Sequence, residues 1–232
     1  MMSIIKKWKK MKNYIQEKNN NKFFINGIKV SMKSNPSNIS VEEIKFSLTK
    51  AIEKIPKHLL KNLNAINIGN FLELKKRKIQ SFYKNSSIFM TSDYEDSEDM
   101  IDDLVHEVAH SVEEIFGSII YSDQEVEREF LNKRKTLWRI LKDAGFNVEL
   151  SNFLNPDYNQ DFDLFLYKEV GYAFLRTATK SVFYSPYGST SLREYFANGF
   201  EAFFMKEELA RLKRTSPVLY KKMTNLLDIE GE

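Results

Sequence analysis

Apolar and polar residues follow two periods along this chain, a short one in its first third and a helical one after it. Phe23-Phe24-Ile25 and Ile28-Lys29-Val30 flank Asn26-Gly27. Asn-Gly between apolar runs tolerates the positive φ of a two-residue turn, so Lys22–Lys33 is predicted to form a β-hairpin. Asn35-Pro36 breaks the pattern. Ser40-Val41-Glu42-Glu43 then has the form of a capping box, with Val41, Ile44, Leu48, Ala51, Ile52 and Ile55 following at helical spacing. A short helix is expected after Pro56. Three β-like runs come next, Ala65–Ile68, Lys78–Tyr83 and Ser87–Thr91, the last two joined by a turn at Lys84-Asn85-Ser86.

From there the helical period takes over. Ile101, Leu104, Val105, Val108, Val112, Ile115 and Phe116 mark an amphipathic helix predicted to stop near Gly117. It starts in an acidic run, Asp93–Asp103, with seven carboxylates in eleven residues. Acids are favoured by the dipole at a helix N-terminus, so the run reads first as a helix start, ahead of a calcium loop or a field for basic peptides. Further helices are predicted over Asp123–Ala144 (stopped by Gly145), Asp161–Ser181 and Ser191–Arg214. Hairpin, helix, sheet and then helices is an α+β order.

Composition narrows the class. In 232 residues, 42% hydrophobic content supplies a core for one domain. No run approaches the roughly 20 apolar residues of a membrane span. The Lys-rich start, Lys6 to Lys12, lacks the apolar segment of a secretory signal. There is no cysteine, which excludes disulfides and thiolate metal sites and leaves His, Asp and Glu as ligands. Together these favour a cytoplasmic protein. Residues 1–84 carry a net +14, residues 85–170 a net −13 and residues 171–232 a net +2. A basic arm over 1–20 and a basic first third would suit nucleic acid or another anionic partner, but no aromatic-basic platform accompanies them. Two solvated faces that attract each other are the favoured reading.

The chemistry concentrates in His106-Glu107-Val108-Ala109-His110. Residues four apart share a helix face, so both imidazoles can hold one ion, and the intervening glutamate can take a proton from a water on it. Chance would place this pattern in a chain of this composition roughly 0.003 times. On a helical wheel the histidines lie opposite the Leu104/Val108/Val112 stripe, beside Asp103, Glu107, Glu113 and Glu114. A zinc site needs a third protein ligand, and no third histidine follows at short spacing. His58, beside Pro56, reads as an ordinary surface histidine. The best window is Ser191–Phe204, which offers Glu194 and Glu201. Glu194 also completes a capping box with Ser191, and on the residues alone the choice is open. Gly199, inside this predicted helix, is expected to mark a close approach of another backbone.

The motifs resemble zincin metallopeptidases with a glutamate third ligand, in particular the catalytic domain of anthrax lethal factor and the Pro-Pro endopeptidases. The matching residues are His110-Ser111-Val112-Glu113 after the HExxH motif, then Tyr187-Gly188 and Glu194-Tyr195-Phe196-Ala197, with seven residues from Tyr187 to Glu194. The resemblance spans about residues 86–205 and rests on motifs. Ser185–Phe204 is also similar to zincin-like peptidases of tailed phages, which would act in the host cell or virion. It implies a zincin-like catalytic domain over 21–232 with one Zn2+, held by His106, His110 and Glu194. Glu107 would be the general base and Tyr187 the oxyanion donor, with Tyr184 and Tyr195 as competitors for that role. Ser87–Thr91 would be the edge strand that takes a peptide substrate by β-addition. Two departures stand out. Asn198 replaces the family's second helix acid, and the 84-residue gap from His110 to Glu194 implies a helical insertion over 121–181. The implied function is a zinc metalloendopeptidase that hydrolyses peptide bonds with a Glu-activated, zinc-bound water. The alternative is a catalytically silent zincin scaffold that serves as a virion-type structural or partner-binding protein, against which the intact Glu107 argues.

Overall fold

The computed structural model describes residues 21–34, 36, 38–205 and 209–229. The arm expected over 1–20 lies outside them. The chain forms two compact units, Met1–Val108 and Ala109–Glu232, and the division falls inside one continuous helix. The architecture is α+β, a small mixed sheet with helices.

In the first unit, β1 (Lys22–Ile25) and β2 (Ile28–Met32) form the expected antiparallel hairpin. Asn26 and Gly27 have φ of 50° and 88°, as a primed turn requires. Helix α1 (Val41–Glu53) starts at Ser40, whose hydroxyl accepts from Glu43 N at 3.1 Å, and buries Ile44, Leu48, Ala51 and Ile52. A 3-10 turn at Lys57–Leu60 follows Pro56. β3 (Ala65–Ile68) and β5 (Ser87–Met90) lie parallel to β2 in the order β1-β2-β3-β5-β4, with β4 (Ser81–Lys84) antiparallel at the edge. Val30, Ile66, Ile68, Ile88 and Met90 are buried; Phe82 and Phe89 stack as a cross-strand pair with centroids 4.9 Å apart.

Two strand predictions change. Ser87–Met90 is interior rather than an edge, hydrogen-bonded to β3 on one side and β4 on the other. A short apolar run reads the same in either place, because strand order is set by crossovers the pattern does not encode. The run expected over 78–83 begins with the end of a short helix, α2 (Leu72–Arg77), closed by Lys78 at a left-handed φ of 55°. The strand proper starts at Ser81.

Helix α3 (Ser97–Tyr121) is shared by the two units. It continues through Gly117 instead of stopping there, since one glycine costs a long helix only about 1 kcal/mol. Its last turn is closed by Lys222, whose Nζ donates to the Ile119 carbonyl at 3.2 Å and to Asp123.

In the second unit, α4 (Glu125–Asp143) ends as expected near Gly145, at φ 91°. The helix expected over 161–181 is broken into α5 (Gln160–Leu164), a π-helical turn (Phe165–Val170) and α6 (Tyr172–Ala178), because Gly171 takes φ 81°. The helix expected over 191–214 is divided into α7 (Leu192–Phe204) and α8 (Leu209–Thr215). An unforeseen α9 (Pro217–Leu227) follows, with proline at its start.

Three side chains of α4 organise this unit. Glu129 caps α9, accepting from Val218 N at 2.8 Å and Leu219 N at 3.1 Å, and also from Tyr195 Oη at 2.7 Å. Buried Lys133 donates to the carbonyls of Val182 and Thr215 and to Ser216 Oγ; desolvation pushes its pKa down to about 8. Arg134, 1% exposed, donates to the carbonyls of Ser189, Thr190 and Asn152 and stacks over Phe162 at 4.0 Å.

The neighbour of Gly199 is a side chain, not the expected backbone: a Cβ there would stand 2.3 Å from Leu219 Cδ2, in a fully buried leucine of α9. At Gly117 a Cβ would meet nothing within 4 Å. Alanine should therefore act with opposite sign at the two sites. Gly117→Ala is expected to stabilise by about 0.5–1 kcal/mol, and Gly199→Ala to destabilise by about 1–3 kcal/mol through overpacking. Thermal unfolding of both variants checks this; equal stability of Gly199→Ala and wild type would mean that Leu219 finds another seat.

Candidate metal centre

Helix α3 is launched by Asp96, whose Oδ1 accepts from the backbone N–H of Glu98 and of Asp99 at 2.9 Å each. The acidic run thus behaves as a helix start. One of its carboxylates, Asp103, turns inward and accepts from Tyr94 Oη at 2.6 Å. Farther along, Leu104, Val105, Val108, Ala109 and Val112 are fully buried. On the opposite face Glu114 is exposed, but Glu107 is only 6% and His110 9% exposed. The Glu107 carboxylate and the His110 imidazole are thus withdrawn from water. That strengthens every electrostatic interaction among them.

In the first unit, Ser81 at the head of the edge strand donates its hydroxyl to Glu107 Oε1 at 2.8 Å. No sequence signal links the two, since they are joined only by sheet topology. In the second unit, Ser191 caps α7 and its Oγ accepts from Glu194 N at 3.2 Å. This half of the capping box uses the backbone of residue 194, so the cap and a ligand role for the carboxylate are compatible. The Glu194 carboxylate stands 3.8 Å from His110 Nε2.

The other ring nitrogen of His110 has its own partner. Nδ1 lies 3.4 Å from Glu113 Oε2, and Glu113 in turn accepts from Arg193 Nε at 2.8 Å and from Tyr121 Oη at 2.7 Å. Burial opposes ionisation of Glu113, but the hydrogen bonds from His110, Arg193 and Tyr121 outweigh it and hold its carboxyl below the ordinary range. A carboxylate at Nδ1 favours the tautomer with its proton on that side, and turns the Nε2 lone pair toward Glu194. This partner was legible in outline, since Glu113 sits three residues after His110 on the same helix. Arg193 and Tyr121 were not foreseen.

One ligand atom each from His106, His110 and Glu194 lie within 4.8 Å of one another. Ligands about 2.0–2.1 Å from a tetrahedral zinc stand roughly 3.3 Å apart, so a contraction of at most about 1.5 Å would complete the set. Two imidazoles and a carboxylate, with a further carboxylate behind His110, are a donor set that could hold a metal ion such as zinc. Among the described residues, neither Glu201 nor His58 joins this group. Glu201 accepts instead from Asn198 Nδ2 at 3.4 Å.

Tyr187 opens a 3-10 turn, Tyr187–Ser189, and is 37% exposed. Desolvation of its phenol and then the Glu194 charge push its pKa up. Its competitors serve elsewhere. Tyr195 is buried and donates to Glu129, while Tyr184 lies under the Arg211 guanidinium at 4.7 Å. Asn198, 6% exposed, receives a hydrogen bond from Ser185 Oγ, and a Cβ on Gly188 would come within 2.7 Å of its Oδ1. It thus packs against the turn that carries Tyr187.

Compared with protein-family models, curated proteins and solved structures, the chain matches none. Among the described residues, no helix is long and apolar enough to cross a membrane.

Proposed function

We propose that this chain is a zinc-dependent endopeptidase built on a zincin-like fold, with His106, His110 and Glu194 as the metal ligands. The observation that carries the proposal is the convergence of these three side chains around the helix turn that also bears buried Glu107. A bound zinc ion would supply Lewis acidity and lower the pKa of a water to about 7. Glu107 takes the proton of the attacking water and later delivers it to the leaving amine. The Ser81 hydroxyl holds one oxygen of that carboxylate in place. Tyr187, its phenol kept protonated at neutral pH, donates to the oxyanion of the tetrahedral intermediate. The outer edge of β4, which begins at Ser81, would seat an extended peptide by strand addition, the role expected earlier for Ser87–Thr91.

Cleavage of a peptide library with and without a chelator tests this reading. Hydrolysis abolished by chelation and restored by zinc is the expected result; a zinc-loaded protein that cleaves nothing, or cleavage indifferent to chelation, would overturn it. Two side chains give finer tests. Ser81→Ala should lower kcat by about 10-fold with KM and zinc affinity unchanged, and Ser81→Thr should restore it. A fall in zinc affinity instead would make Ser81 a purely structural residue. Tyr187→Phe should lower kcat by roughly 10²-fold with little change in zinc affinity, whereas Tyr195→Phe should read as lost stability. A larger kcat loss at Tyr195 would reassign the donor.

A further inference from the structure

Two tyrosines meet one carboxylate in the Ala109–Glu232 unit, and a third packs on one of them, apart from the residues assigned above. Asp163 on α5 accepts from Tyr158 Oη at 3.0 Å and stands 3.5 Å from Tyr172 Oη. The Tyr172 ring meets that of Tyr167 edge-on, with centroids 5.4 Å apart. Tyr158 and Tyr167 are 54% and 59% exposed, a large aromatic surface to leave in water. The π-helical turn Phe165–Val170 and the positive φ of Gly171 separate α5 from α6, and the break lets Tyr167 and Tyr172 meet. Single π-turns of this kind are frequent at functional sites.

The cluster is tied to the segment that carries Tyr187 and Glu194. The Pro156 carbonyl, two residues before Tyr158, accepts from Leu192 N at 2.8 Å, and Leu192 is the first residue of α7. Arg134 links the Asn152 carbonyl to those of Ser189 and Thr190.

The chemistry of such a cluster selects a cation. A carboxylate pairs with a cationic side chain by charge-assisted hydrogen bonds, and aromatic ring faces attract positive charge. The surrounding chain agrees in sign: residues 155–170 hold Asp157, Asp161, Asp163 and Glu169 against Lys168 alone. We infer that Tyr158, Asp163, Tyr167 and Tyr172 form a binding site for a basic side chain, Lys or Arg, of a peptide lying along the Tyr187 turn. That the peptide is a substrate rests on the peptidase reading; the recognition itself needs no turnover.

The test uses the full chain carrying Glu107→Gln and two fluorescent decapeptide pools. The pools share randomised uncharged positions and differ only in a central arginine or its neutral isostere citrulline. The arginine pool should bind about 10-fold more tightly. Asp163→Asn and, separately, the exposed Tyr167→Leu should each bring the ratio toward one, with circular dichroism unchanged. Equal affinity for the two pools, or a preference that survives both substitutions, overturns the inference. Cleavage by the zinc-loaded wild type separates the two readings. Cleavage without arginine preference sinks this site and leaves the peptidase; arginine preference without cleavage does the reverse.

Discussion

Glutamine in place of Glu107 is expected to leave fold and zinc binding intact and to cut turnover by about 10²–10⁴-fold. The substitution is nearly isosteric at a 6% exposed position, and an amide oxygen can still accept from Ser81 Oγ at the 2.8 Å contact. What it cannot do is take a proton from water. Single-turnover cleavage of a library-selected peptide, measured with zinc titration of the same sample, separates lost chemistry from lost metal. A variant that cleaves at the wild-type rate would remove Glu107 from the mechanism.

The second large effect concerns the third ligand. Glu194→Ala should weaken zinc binding by on the order of 10²-fold or more, since each ligand of a structural or catalytic site carries a few kcal/mol of the total affinity. Helix α7 should survive, because Ser191 Oγ caps the backbone N–H of residue 194 and that group remains in alanine. Thermal stability of the metal-free protein is therefore expected to change little. Glu201→Ala is the control: its carboxylate accepts from Asn198 rather than joining the histidines, so zinc affinity should hold. Competition titrations of both variants decide the matter. Retained zinc in the Glu194 variant with loss in the Glu201 variant would move the ligand role two turns down the helix.

Much of the local structure was legible in the chain. Asn26-Gly27, the Ser40 cap with Glu43 and the Gly145 stop each act through the backbone of a few adjacent residues, and each appears where it was expected. Helix ends set by weaker signals moved. Gly117 did not stop α3, and Gly171 broke a helix whose pattern ran straight through it. A lone glycine is a modest local bias, and tertiary packing decides whether it terminates a helix.

The candidate site divides along the same line. His106, Glu107 and His110 lie within five residues, so helical periodicity alone puts them on one turn. Glu113 follows from the same period, three residues on. Which carboxylate meets His110 is a different kind of fact. Glu194 and Glu201 share a helix, and helical periodicity favours neither, the resemblance alone pointing to Glu194; the packing of α7 within its unit brings Glu194 Oε1 to 3.8 Å from Nε2. The partnership of Ser81 with Glu107 likewise exists only because the last antiparallel strand adds to the outside of β5.

By itself, then, the order of residues determined the elements of the α+β class, the hairpin, the caps and a paired-imidazole motif, because all of these arise from interactions within about one or two helical turns or one hairpin. Tertiary structure alone decided the strand order, the burial of His110 and Glu107, the proximity of the Glu194 carboxylate to His110 and the anchoring of the Tyr187 turn by Arg134. The physical reason is reach. Helix α4 shows it most directly: Glu129, Lys133 and Arg134 look like ordinary charges on a helix face, yet they satisfy the backbone groups of segments some 18 to 90 residues away. A buried donor or acceptor must find a partner wherever the fold places one, and that partner is a property of the assembled unit, not of the neighbouring sequence.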